Sequence, residues 1–168
     1  MKRSALIVGA GSGLSSSLAL QCANLGMTVA LAARNVEKLE DLSIQTKASL
    51  HKCDASKIED VNRLFKDLDE KLGIPELVVY DPSARLRGAI ETLDPKKTKE
   101  ALNVTCFGAF LVAQQAAKRM LKRGSGSIFF TGASAGVKGF ANSSVFAMGK
   151  FGLRGLAQAL ARELHPKN

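Results

Sequence analysis

The apolar run Ala5-Leu6-Ile7-Val8 breaks directly into Gly9-Ala10-Gly11-Ser12-Gly13, and this junction restricts the fold more than any other stretch of the chain. Glycines at alternate positions end a strand abruptly and let the backbone turn tightly into a helix. The residues that follow fit that reading. Gly26 stands where a helix stop is expected, and Thr28 to Ala32 form a second apolar run, so the segment reads as strand, glycine turn, helix, strand. Uncharged from Ser4 to Ala33 behind Lys2 and Arg3, the stretch has the charge profile of a signal peptide or membrane span. Its first apolar run is only four residues long, however, and glycines, Gln21 and Asn24 interrupt the rest. No membrane role is expected.

Short apolar runs alternate with helical patterns along the remaining chain. Further strands are expected at Ser49 to Lys52, Leu77 to Tyr80 and Ser127 to Thr131. Ser56 and Glu59 have capping-box spacing ahead of Ile58, Val61, Leu64, Phe65, Leu68 and Leu72, a helical stripe that stops at Gly73. A long helix is expected from about Pro95 to Arg123, closing on Lys118, Arg119, Lys122 and Arg123 before Gly124, where cations suit the negative end of the helix dipole. A final helix is expected from near Ser144 to Pro166. Strands alternating with helices imply an α/β protein with a doubly wound, Rossmann-like parallel sheet, and no linker divides residues 1–168 into more than one domain.

That architecture gives the glycine turn a function. Backbone amides of Gly9, Gly11, Ser12, Gly13 and Leu14 are placed to meet a pyrophosphate at the helix N-terminus, although a plain strand-to-helix turn has the same sequence. The second strand ends in Ala33 and Arg34, where a carboxylate would accept from the ribose of NAD. A guanidinium there favours the 2′-phosphate of NADP over NAD, the alternative being a solvated strand-end charge. Asp54, beside Ala55 after the third strand, either accepts from the adenine amino group or caps the Ser56 region.

Composition narrows the remaining classes. Of a formal charge of +9, nearly all lies in residues 118–168, which hold 9 basic and 1 acidic side chains. A nucleic-acid surface is not expected from this, because Trp is absent, Tyr occurs once and the Phe residues fall mostly in apolar runs. Cys22, Cys53 and Cys106 form no CxxC pair, which points to a reducing, cytoplasmic compartment. His51 and His165 lie too far apart in sequence, and without suitable neighbours, to mark a metal site.

Four segments in order resemble the short-chain dehydrogenase/reductase family: Gly9 to Ser15 (GAGSGLS), Cys53-Asp54, Val79 to Ser83 (VYDPS) and Phe146 to Lys150 (FAMGK). The resemblance covers essentially the whole chain and implies strand order 3-2-1-4-5, a nicotinamide cofactor that Pro82 and Ser83 help to hold, and a small carbonyl, alcohol or enone substrate. It also implies a homodimer or homotetramer built on the last two long helices, for which Ala109 to Ala117 and the stripe Phe151, Leu153, Leu156, Ala157, Leu160 are apolar enough. Packing of these residues on the chain's own sheet is the alternative. The family's last strands and substrate lid follow the final helix seen here, so a longer native chain is expected.

The catalytic positions depart from the family. Lys150 matches the lysine that holds the nicotinamide ribose, but Phe146 stands in the place of the proton-donating tyrosine and has no proton to give. Ala133 takes the place of the serine, with Ser134 one step out of register as a weak catalytic candidate. Thr105 takes the place of the helical asparagine, with Asn103 two residues earlier and expected to face away. Ser143 and Ser144 read as loop or cap residues, and Tyr80, ending a strand, as packed rather than catalytic. Two functions therefore stand at this point: an NADP-dependent oxidoreductase with an atypical site, and a noncatalytic NADPH-binding sensor or assembly protein.

Overall fold

The computed structural model describes residues 3–167, so Lys2 and Asn168 lie outside the described residues. Among the described residues five parallel strands, β1 (Ser4–Val8), β2 (Thr28–Ala33), β3 (Ser49–Lys52), β4 (Leu77–Tyr80) and β5 (Ser127–Phe130), form one sheet in the order β3-β2-β1-β4-β5. The order is the expected 3-2-1-4-5. Every residue of β1 is buried, as a central strand covered on both faces requires. Helices α1 (Leu14–Asn24), α2 (Glu40–Thr46), α3 (Ile58–Lys71), α4 (Pro95–Leu102), α5 (Gly108–Arg123) and α6 (Ser144–Leu164) surround the sheet.

Two apolar layers hold this arrangement. On one face Val61, Leu64, Phe65 and Leu68 of α3 pack with Leu6, Val8, Val78 and the α5 residues Ala109, Val112 and Ala116. On the other, Ala19 and Cys22 of α1 meet Ala5, Ile7, Val29 and Leu31. Each large side chain fully buried here contributes about 1.5–3 kcal/mol. Of the positions considered for oligomerisation, Ala109, Leu111, Val112, Ala113, Ala116 and Leu153 are buried within the chain itself. Phe110 and Phe151 of the same positions remain exposed, together with Phe107 and Met148.

Two expectations need correction. Ser56 does not cap α3: the N-cap is Lys57, without a side-chain hydrogen bond, because Asp54 engages both the amide and the hydroxyl of Ser56. The long helix is not uniform either. Between α4 and α5, Asn103–Phe107 widen into a π-helical turn, and the buried Tyr80 hydroxyl donates to the Val104 carbonyl within it at 2.5 Å. The basic residues Lys122 and Arg123 do close the last turn of α5, and the cluster makes specific contacts besides: Arg119 pairs with Asp69 at 2.7 Å, and Arg123 donates to the carbonyls of Ile74, Pro75 and Ser125. Helix stops at Gly26, Gly73 and Gly124 lie where expected, each in the left-handed region.

Strand register determines where function can sit. Val8 lies level with Ala32 and Tyr80, Ala33 with Lys52, and Tyr80 with Phe130, so the loops leaving all five strands emerge along one edge. The sheet order reverses between β1 and β4, and open α/β sheets bind ligands at such a switch point. No described helix is long and apolar enough to cross a membrane.

Candidate cofactor and active site

The loops after β1 and β4 meet at the switch point. Gly9 has φ +82°, its amide and that of Ala10 both donate to the Ala32 carbonyl, and a Cβ at Gly9 would come within 2.7 Å of the Pro82 ring. Beyond this clamp the turn opens. A Cβ at Gly11 or Gly13 would meet nothing within 4 Å, so the space above the turn is free for a ligand. Ser15, in place of the family's last glycine, is buried, and its hydroxyl accepts from the Gly11 amide at 2.9 Å. Gly13 begins α1 without a side-chain cap, and the first turn carries no acid. The amides of Ser12, Gly13 and Leu14 find no acceptor among the described residues, which leaves a bare helix N-terminus suited to an anion.

A cleft of about 600 Å³ continues from this turn past Ala33, Arg34, Asp54, Ala55, Pro82 and Ser83. Lys38, missed in the sequence, lines it too. Asn35 turns the chain by accepting from the Glu37 amide at 3.0 Å, which brings Lys38 back beside Arg34; the four-residue spacing of the two cations was the available signal. Neither cation enters an ion pair among the described residues. Asp54 is fixed from both sides: its amide donates to Asp60 at 2.8 Å, and its Oδ1 accepts from the Ser56 amide and hydroxyl. Asp60, whose carboxyl pKa is lowered first by that amide and then by Arg63, had no sequence signal. A larger groove of about 1000 Å³ follows the exposed edge of β5 past Phe129 and Leu164 and includes none of these residues.

The other end of the edge holds Lys150. It is 3% exposed, and its Nζ donates to the Thr131 carbonyl at 2.6 Å, so it is no solvated helix lysine. Burial lowers its pKa; Asp81 opposes that shift and Arg85 adds to it. The close seat of α6 puts it there. A Cβ at Gly149 would lie 2.9 Å from the Thr105 Cγ2, so only glycine lets α6 approach the π-helical turn at this point. Phe146, one turn before Lys150, has the Arg85 guanidinium 4.7 Å from its ring centroid and the Lys150 Nζ at 6.0 Å. Arg85 is a second residue the sequence did not mark, because a loop arginine carries no periodic signature.

Thr105 is 1% exposed, and its Oγ1 accepts from the Ala84 amide at 3.0 Å, tying the loop after β4 to the π-helical turn. Asn103 instead lines an apolar hollow with Cys106, Phe107 and Met148, facing away as expected. Ser134 is exposed at the start of a short 3-10 turn, its carbonyl accepting from Val137 and Lys138, while Ala133 and Lys150 line one small cavity without it. The structure thus brings Lys150, Phe146, Arg85 and Asp81 together and leaves Ser134 outside. Burial raises the pKa of Tyr80 far above its ordinary value, which agrees with a packing role.

An uncapped helix N-terminus at the switch point of a 3-2-1-4-5 parallel sheet defines a doubly wound protein whose residues fit a dinucleotide. Residues 3–168 match the family model for short chain dehydrogenases, and the chain belongs to that family of nicotinamide-dependent oxidoreductases. It is 30% identical over 172 residues to a sepiapterin reductase of Chlorobaculum tepidum, covering 95% of this chain and 70% of that protein. A 3-ketodihydrosphingosine reductase of Mus musculus is 27% identical, with 97% of this chain covering 52% of its length. The chain therefore spans only part of these relatives. Among solved structures, a short-chain dehydrogenase from Rhodopseudomonas palustris superposes with a TM-score of 0.93 at 30% identity, covering 99% of this chain and 80% of that one.

Proposed function

We propose that the chain is an NADP-dependent oxidoreductase acting on a small carbonyl, alcohol or enone compound through an altered active site. The observation that carries this reading is one alignment along the sheet edge: the bare N-terminus of α1, the Arg34 and Lys38 cations, and the buried Lys150 ammonium. When bound, the nicotinamide cofactor supplies or accepts a hydride. The chain's own groups hold it. The Ser12, Gly13 and Leu14 amides take the pyrophosphate, and Arg34 with Lys38 takes the 2′-phosphate that NAD lacks. Asp54 retains a carboxylate oxygen for the adenine amino group, Ala33, Ala55, Pro82 and Ser83 wall the cleft, and Lys150 holds the nicotinamide ribose.

Phe146 cannot protonate the substrate oxygen, so that proton comes from Lys150, water or the substrate itself. Burial makes the Lys150 ammonium a better acid than a solvated lysine. Both relatives above are named as reductases, which supports the reductive direction. The protein works as a homodimer or homotetramer in the cytoplasm; exposed Phe107, Phe110, Met148 and Phe151 supply a contact face, and three free cysteines suit a reducing compartment. Following NADPH absorbance across a panel of ketones, quinones and enones tests the reading. Oxidation of NADPH with at least one acceptor is expected, and binding without turnover on the whole panel overturns it.

The Phe146 substitution also favours a second reading, a noncatalytic NADPH-binding sensor or assembly protein. On that reading Phe146→Tyr leaves the protein inactive, because Thr105 and Ala133 remain at the other two positions. Strong activity in that single variant favours an enzyme that has lost its acid.

A further inference from the structure

We infer that Arg85 and the Phe146 ring form the subsite for the reacting oxygen of the substrate, and that this subsite takes the oxygen as a conjugated oxyanion, a phenolate or an enolate. The inference deepens the oxidoreductase reading and rests on it. Its first support is placement. The guanidinium lies 4.7 Å from the centroid of the ring that occupies the family's tyrosine position, close enough for the ring to hold it by cation–π attraction. Its second support is charge. Arg85 joins no ion pair among the described residues, and the groups that act on neighbouring Lys150 are one carboxylate, Asp81, and Arg85 itself, so positive charge exceeds negative where the ring sits.

Rigidity is the third support. The loop bearing Arg85 is tied down at three points, by the Asp81 amide on Val8, the Ala84 amide on Thr105 Oγ1, and the Gly88 amide on Asn142. Arg85 follows the second of these directly, so its backbone is fixed before any ligand arrives, as preorganised stabilisation of a developing charge requires. Thr105 thereby becomes a positioning residue for Arg85.

The chemistry of guanidinium then selects the ligand. It stays protonated at any ordinary pH, so it pairs with an oxyanion through two parallel hydrogen bonds without protonating it. An oxygen whose negative charge is spread by conjugation persists in that form, whereas a simple alkoxide needs the proton that Phe146 lacks. Conjugated enones and quinones, which become enolates and phenolates on reduction, are therefore the acceptors that fit.

The test uses 4-nitrophenol, whose phenolate absorbs visibly, titrated against the protein with and without NADP. The bound probe is expected to ionise about one pH unit below the free probe, equivalent to about tenfold tighter binding of phenolate than phenol. Arg85→Met is expected to remove the shift and Arg85→Lys to retain part of it, with NADPH affinity and melting temperature unchanged in both. Failure of the probe to bind, binding without a shift, or a full shift in Arg85→Met overturns the subsite. Absence of NADPH binding with the probe shift intact overturns the oxidoreductase reading alone.

Discussion

Replacing Gly9 with alanine puts a methyl group where Pro82 already stands. The φ of +82° costs an alanine about 1–2 kcal/mol, and the 2.7 Å approach to the proline ring adds about 1–3 kcal/mol, since a ring joined to its own backbone cannot swing away. A total near 3 kcal/mol lowers the melting temperature by roughly 6–12 °C in a chain of this size. Gly11→Ala has the opposite profile: open space around its Cβ leaves stability within about 0.5 kcal/mol, while the methyl occupies the ground a pyrophosphate needs and weakens NADPH at least about tenfold. Thermal melts and NADPH titrations of both variants separate the two roles. A stable Gly9→Ala protein refutes the clamp, and undiminished NADPH affinity in Gly11→Ala refutes the cradle.

The same geometry yields further expectations. Removing both Arg34 and Lys38 by alanine substitution deletes charge-assisted contacts worth about 1.5–3 kcal/mol, so NADPH binding weakens roughly 10–100-fold while NADH binding is unchanged; titration of both cofactors checks this. Thr105→Val strands the Ala84 amide and costs about 1–2 kcal/mol, read as a lower melting temperature with faster proteolysis between residues 82 and 89. Burial pushes the Cys53 thiol up to about 12, so above the ordinary value of 9.0 the unfolded thiol loses its proton while the folded one keeps it, and stability falls with rising pH. Denaturant melts at about pH 8 and pH 10 are expected to show a smaller loss in Cys53→Ala than in the parent protein.

Strand positions were legible because buried parallel strands are continuous apolar runs bounded by glycine or proline, and Ala5 to Val8 and Leu77 to Tyr80 have that form. The glycine turn was legible because Gly9, Gly11 and Gly13 fall within one short stretch of sequence directly after the first strand. What escaped depends on partners distant in the chain. The Ser56 capping box failed because Asp54 captured the hydroxyl, and the π-helical turn is supported by Tyr80, 24 residues before Val104. Arg85 reached Phe146 through a loop whose course is set by Thr105 and Asn142, neither of which a local pattern connects to it. Position 146 itself was plain in the sequence. The cation that faces it was not, because Arg85 is brought there by another loop.

Calorimetric titration with NADPH and NADH tests the central claim, that the edge from Gly9 to Lys150 is an NADP site. One saturable NADPH site per chain is expected, at least about tenfold tighter than NADH, with the difference lost on removing Arg34 and Lys38. Equal affinity for the two cofactors contradicts the assignment of the cations, and no binding of either contradicts the site.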